Sequence, residues 1–202
     1  MKLTKWLWLR PFHMTFKKVD TVTLTDGEAI EVIVYAAKYT GKIAQCTPFG
    51  TIIVDELSFV SPRYLMRVVT HELAHKHQWY GYLLYPLVIV FTPFLAFLFL
   101  GVIIYLVFSL FNPQFLLLSL FILILMSIIT IVFCSYSWFV EYKAEAVTFK
   151  KIGIDNVLEI DRQFKPSMKA PLQWRIAASL THPPQSLVVR IYRHYNKSSD
   201  DL

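Results

Sequence analysis

Charge is what this chain has least of. Its 202 residues hold 20 Lys+Arg and 14 Asp+Glu, or 17%, where a typical soluble domain carries about 25%. The shortage is local. Between Lys76 and Glu141 run 64 consecutive residues without one Asp, Glu, Lys or Arg, so every acidic and basic residue lies in two flanks. With 55% of its residues hydrophobic, the chain is neither a simple soluble globule nor a disordered polymer. Cysteine is nearly absent too: Cys46 and Cys134 are too few and too far apart for a disulfide scaffold. Cys134, inside the apolar run, reads as a small core or lipid-facing residue. No internal repeat is present. What these absences leave is an integral membrane protein.

A helix crosses the ~30 Å hydrocarbon core in about 20 residues. The uncharged run therefore accommodates two crossings. Its only polar turn-forming cluster is Asn112-Pro113-Gln114, which divides it into spans near residues 83–110 and 115–138. Pro86 and Pro93 kink the first span near its start, which spanning helices tolerate. Trp79, Tyr80, Tyr82 and Tyr85 at one end, with Tyr136 and Trp138 at the other, match an interfacial aromatic belt. Two crossings return the chain to the side it left. Residues 1–76 and 141–202 are thus expected to build one domain together, with 77–140 as a transmembrane hairpin. The hairpin tip carries no Lys or Arg and the flanks carry all 20, so the positive-inside bias puts both flanks in the cytoplasm. A net charge of +6 and a pI near 9.3 suit nucleic acid or an anionic membrane surface. Given the spans, the membrane surface is the simpler partner and no nucleic acid is expected. Trp6 and Trp8 beside Lys2, Lys5 and Arg10 fit an interfacial anchor, with a frayed basic terminus as the alternative; their apolar stretch is too short for a signal peptide. One hairpin offers little lipid-shielded packing. That leaves room for a homo-oligomer, although no small-xxx-small motif marks an interface.

The flanks mix strand and helix patterns. Val22 and Leu24 alternate with threonines, Asp26-Gly27 signals a two-residue hairpin, and Ile30, Val32 and Val34 alternate again, although Glu28–Lys38 also reads as a short helix. Thr51-Ile-Ile-Val54 reads as a further strand. Ser61-Pro62 starts a helix, with Ser as N-cap and Pro at its first position, running to about Trp79 and into the first span. On the far side, Tyr136 to Lys151 continues the second span as a helix. A Pro-interrupted stretch (Pro166, Pro171) and a last helix follow. The fold class is α+β with a membrane hairpin.

The residues that carry chemistry are His71-Glu72-Leu73-Ala74-His75. On a helix, positions i and i+4 share a face, so both histidines can offer a ring nitrogen to one metal ion. Glu72, rotated ~100° from His71, can meet a water on that ion without being a ligand. This is the H-E-x-x-H arrangement of zinc hydrolases, in which the metal lowers the pKa of a water and the glutamate takes its proton. With 6 His in 202 residues the pattern arises by chance in only about six chains per thousand. Catalytic zinc usually takes three protein ligands. His77 lies on another face, which leaves Glu141, Glu145 and His182 as candidates for the third. Glu141 and Glu145 sit at i and i+4, where like charges repel unless something compensates; a solvated helix end is the alternative. An antiparallel hairpin brings the two helices together, and Glu141 is the first carboxylate that the emerging helix presents.

The series His71-Glu-Leu-Ala-His75, a pair of spans, Glu141-Tyr-Lys-Ala-Glu145 and then Thr181-His182-Pro183-Pro184 with Arg190-Ile191 resembles the membrane gluzincin peptidases. These include the bacterial heat-shock protease HtpX and the CAAX prenyl endopeptidases. Thr51-Ile-Ile-Val-Asp-Glu-Leu is similar to the strand preceding the metal helix in that family. The resemblance covers roughly residues 48–193. It implies a gluzincin-like zinc peptidase domain with the hairpin inserted between the ligand helices. One zinc would be bound by His71, His75 and Glu141, with Glu72 as general base. Glu145, where the family has Asp, would orient a ligand histidine. His182 and Arg190 would hold substrate or stabilise an oxyanion, although the His-to-Arg spacing is eight residues where the family has six. The family's N-terminal pair of spans has no counterpart here. A bacterial inner membrane is the implied location. The expected activity is hydrolysis of peptide segments of membrane or membrane-attached proteins, bound as an added strand along an edge such as Thr51–Val54. A second class stays open: a small membrane interaction or regulatory protein whose zinc site is structural or degenerate. A third is a membrane anchor in which the motif is accidental.

Overall fold

The computed structural model describes residues 14–37, 44–47, 50–78, 98–108, 112–164 and 179–200. Among them are four strands and five helices, a mixed α/β chain with one small sheet. The strands are β1 (Met14–Thr23), β2 (Ala29–Ala37), β3 (Ala44–Cys46) and β4 (Ile52–Asp55). The helices are α1 (Pro62–Lys76), α2 (Leu98–Phe108), α3 (Pro113–Ile152), α4 (Ile154–Phe164) and α5 (Gln185–Asp200). The chain divides into two compact units, Met1–Trp79 with Val140–Leu202 and Tyr80–Phe139. The interfacial tryptophans Trp6 and Trp8, most of the first span and the Pro166–Pro171 stretch lie outside the described residues.

The sheet order is β1-β2-β4-β3: β1 and β2 form an antiparallel hairpin, β4 joins β2 in parallel, and β3 joins β4 antiparallel. Of the two readings of 28–38 the strand holds over Ala29–Ala37, because β2 pairs on both sides and buries Val32, Ile33, Val34 and Tyr35. The expectation for the sheet edge changes. The segment Thr51–Val54 is not an edge: β4 lies between β2 and β3, and the edge beside it is β3. The hairpin turn also differs from the two-residue form. The Leu24 N–H donates to Glu28 O at 2.8 Å and the Gly27 N–H to Leu24 O at 3.1 Å. Thr25–Gly27 is thus a three-residue loop whose last position, Gly27 at φ +84°, needs the left-handed region.

Alternation along β2 and β4 sends Val32, Val34, Ile52 and Val54 to one face, where Leu65, Val69 and Leu73 of α1 complete a core. Those positions recur every four residues, which is one stripe of a helix. A second stripe, Tyr64 and Val68, packs on Ile160 of α4. Ser61 occupies the N-cap position of α1 with extended backbone and Pro62 opens the helix; the cap is made without a side-chain hydrogen bond. The helix closes at Lys76, short of Trp79, with the His77 N–H returned to Ala74 O at 3.2 Å.

In the other unit Asn112 accepts a bond from the Gln114 N–H at 3.0 Å and Pro113 begins α3, the cap-then-proline start that marks helix N-termini. The 40 residues of α3 make a rod of about 60 Å. It is the one helix among the described residues that is long and apolar enough to cross a membrane. Its apolar part leaves Leu117, Phe121, Ile124, Ile128 and Ile131 exposed. The shorter α2 is apolar as well.

Candidate metal centre

The third stripe of α1, at four-residue intervals, is Arg67, His71 and His75. It meets Glu141 and Glu145, one turn apart on α3, and both segments belong to the same compact unit. The pairing is antiparallel, as the contacts record: Arg67 with Glu145, His71 with Glu145 and Glu141, and His75 with Glu141.

Three ligand atoms converge. His71 Nε2 lies 3.2 Å from His75 Nε2 and 3.3 Å from Glu141 Oε2, and His75 Nε2 is 3.6 Å from Glu141 Oε1. At metal–ligand distances of 2.0–2.1 Å, the edge of a tetrahedron is about 3.3–3.4 Å. The observed spacings bracket that value. Two ring nitrogens turned toward each other with a carboxylate beside them is an arrangement a cation resolves, so the His71–His75–Glu141 group could hold a metal ion.

The outer faces of both rings are occupied. His71 Nδ1 stands 3.4 Å from Glu145 Oε1, and His75 Nδ1 stands 3.3 Å from Gln78 Oε1. The His75 contact suits an Nδ1–H, whereas the His71 contact is an ion pair outside hydrogen-bond geometry; in both rings Nε2 is the nitrogen that faces the cluster. The extra methylene of Glu145, relative to the aspartate of the resembled family, still allows this contact. Gln78 was not singled out from the sequence. It is buried just beyond the helix end, and only its three-residue offset from His75 hinted at the contact.

Electrostatics tighten the cluster. Burial works against charge on His71, but the Glu145 and Glu141 carboxylates outweigh it and raise its pKa to about 10. Both glutamates lie beyond the uncharged stretch of α3. Burial pushes Glu145 up, yet His71 and Arg67 bring it down to about 2. Glu141 is likewise held well below the usual carboxylate range, against burial, by His71, His75 and His182.

Glu72 points from the next face of α1 toward the sheet. Its Oε2 accepts the Cys46 backbone N–H of β3 at 2.6 Å, which fixes the carboxylate against the edge strand. His182 lies in the turn before α5. Its Nε2 is 3.4 Å from Glu141 Oε1 and its Nδ1 2.9 Å from Thr181 Oγ1, while the side chain stays 60% exposed. The contacts therefore join His71, His75, Glu141, Glu145 and His182, while Glu72, next to His71 on α1, is held against β3. Arg190 is exposed on α5, and no hydrogen bond or ion pair among the described residues joins it to the cluster.

No protein-family model, curated protein or solved structure matches the chain.

Proposed function

We propose that the chain is a zinc-dependent endopeptidase of the membrane, of gluzincin type, hydrolysing segments of membrane or membrane-attached proteins. The observation that carries this reading is the convergence of His71, His75 and Glu141 at tetrahedral-edge spacing with Glu72 as helical neighbour. Two imidazoles and one carboxylate are a donor set that suits zinc and leaves one position open. Glu145 supports the open form, because it is engaged at the Nδ1 side of His71.

A zinc ion held there would supply Lewis acidity for a water nucleophile and for the carbonyl it attacks. The protein supplies the rest. Glu72, anchored at one oxygen by the Cys46 N–H, keeps its second oxygen for the proton of the attacking water. His182 offers its Nε2 to the negative charge that develops on the substrate oxygen. An extended peptide added along β3 would run beside Glu72, since the strand that forms the edge also holds the base. Arg190 has no part in this scheme. The basic flanks and uncharged hairpin tip support a cytoplasmic site on a bacterial inner membrane, with the bilayer and a protein substrate as partners.

The test is metal content of detergent-purified protein by mass spectrometry, for wild type beside His75→Ala and Glu141→Ala. The expected outcome is about one zinc per chain, lost in both variants. Wild type that takes up no zinc on reconstitution would leave a membrane interaction protein as the better account.

A further inference from the structure

Behind the ligands lies a buried ionic chain that the proposed reaction does not use. Arg67, with a side chain only 13% exposed, donates through Nη2 to Glu145 Oε1 at 2.6 Å and to Asp161 Oδ2 at 3.1 Å. Its Nε also stands 3.0 Å from Asp161 Oδ1, an ion-pair contact without hydrogen-bond geometry. Asp161 Oδ2 in turn accepts from Gln185 Nε2 at 2.7 Å. The chain runs from α1 to α3, α4 and the first residue of α5, three positions after His182.

We infer that Arg67 is a positioning residue for the metal centre: by pinning Glu145 it keeps that carboxylate beside Nδ1 of His71 and so aims His71 Nε2 at the ligand cluster. The argument is geometric. Glu145 Oε1 is the shared atom, 2.6 Å from the guanidinium and 3.4 Å from His71 Nδ1. A glutamate has one more rotatable bond than an aspartate, and the bond to Arg67 is what removes that freedom. A guanidinium suits the task because it is planar and serves two carboxylates at fixed angles. Burying three charges for stability alone is poor design, since well-packed apolar residues do as well or better. A role in orienting a ligand gives the cluster a reason to exist. The inference rests on reading His71, His75 and Glu141 as a metal site.

The test uses full-length protein in detergent, with cobalt(II) as spectroscopic probe and zinc in competition with a chelator. Two variants are compared with wild type. Arg67→Lys keeps the charge and loses the planar guanidinium whose Nη2 serves both carboxylates. Arg67→Met with Asp161→Leu removes both charges of that ion pair and releases Glu145 from the guanidinium. The expected result is roughly 10–100-fold weaker metal binding in both, with an altered cobalt absorption band. A purely structural role for Arg67 would lower the thermal midpoint and leave the cobalt spectrum of the folded variant unmoved. Folded variants that bind cobalt with wild-type affinity and spectrum would overturn the inference alone. Wild type that binds neither metal would overturn the metal reading with it.

Discussion

Glu72 and His71 are adjacent, yet they answer to different neighbours, and the difference can be measured. Glu72→Gln keeps the shape that accepts the Cys46 N–H but cannot take a proton. It should retain zinc and lose about 10²–10⁴-fold in hydrolysis of a protein substrate. A variant that cut at the wild-type rate would remove Glu72 as base. His71 predicts a pH dependence. Without metal its pKa is raised to about 10 by Glu145 and Glu141, against burial. The stability this gives the metal-free fold is complete below the ordinary imidazole value of ~6.5 and is lost as pH climbs through about 10. Metal binding must displace that proton. Apparent zinc affinity should therefore rise about tenfold per pH unit across the neutral range, with proton release seen by calorimetry in buffers of different ionisation enthalpy. An affinity independent of pH would mean that His71 is not the protonated ligand described here.

Elements divide the labour on α1 by stripe: one on the sheet, one on α4 and one on the ligands of α3. The sheet stripe carries the fold. Leu65→Ala, in the core under β2 and β4, should cost about 2–5 kcal/mol in denaturant unfolding of the purified protein. Leu117→Ala on α3, 71% exposed, should leave that midpoint unchanged. The same division explains what could be read in advance. His71, Glu72 and His75 are local in sequence, so helical spacing exposes them directly. Glu141 was legible because the uncharged run, read as two spans, returns the chain to the side of His71 and His75. Arg67 and Asp161 meet across 94 positions, and no local period records such a pairing. Sheet order escaped for a similar reason: alternation says which face a strand buries and nothing about its neighbour. At three residues β3 is too short to show alternation at all, so the sequence does not mark it as the edge.

For the whole molecule, the decisive quantity is the uncharged run. Wild type should stay in the pellet after alkaline carbonate extraction of membranes. Replacing Ile124 and Ile128, both exposed on α3, with arginine should release the chain or block its insertion. Each central arginine costs about 2.5–3.5 kcal/mol on the insertion scale, enough together to offset much of one span. An unchanged pellet would argue that α3 is held to the membrane by something other than crossing it. The single 40-residue course of α3 has a further consequence, which concerns time. Glu141 follows His75 only after the whole uncharged run has been translated. At 5–20 residues per second the ribosome takes about 3–13 s to pass from one ligand to the other. During that interval the nascent chain carries its histidines and its base without the carboxylate that completes the set. On the proposed function, a peptidase built in this order would stay inert until Glu141 has been added.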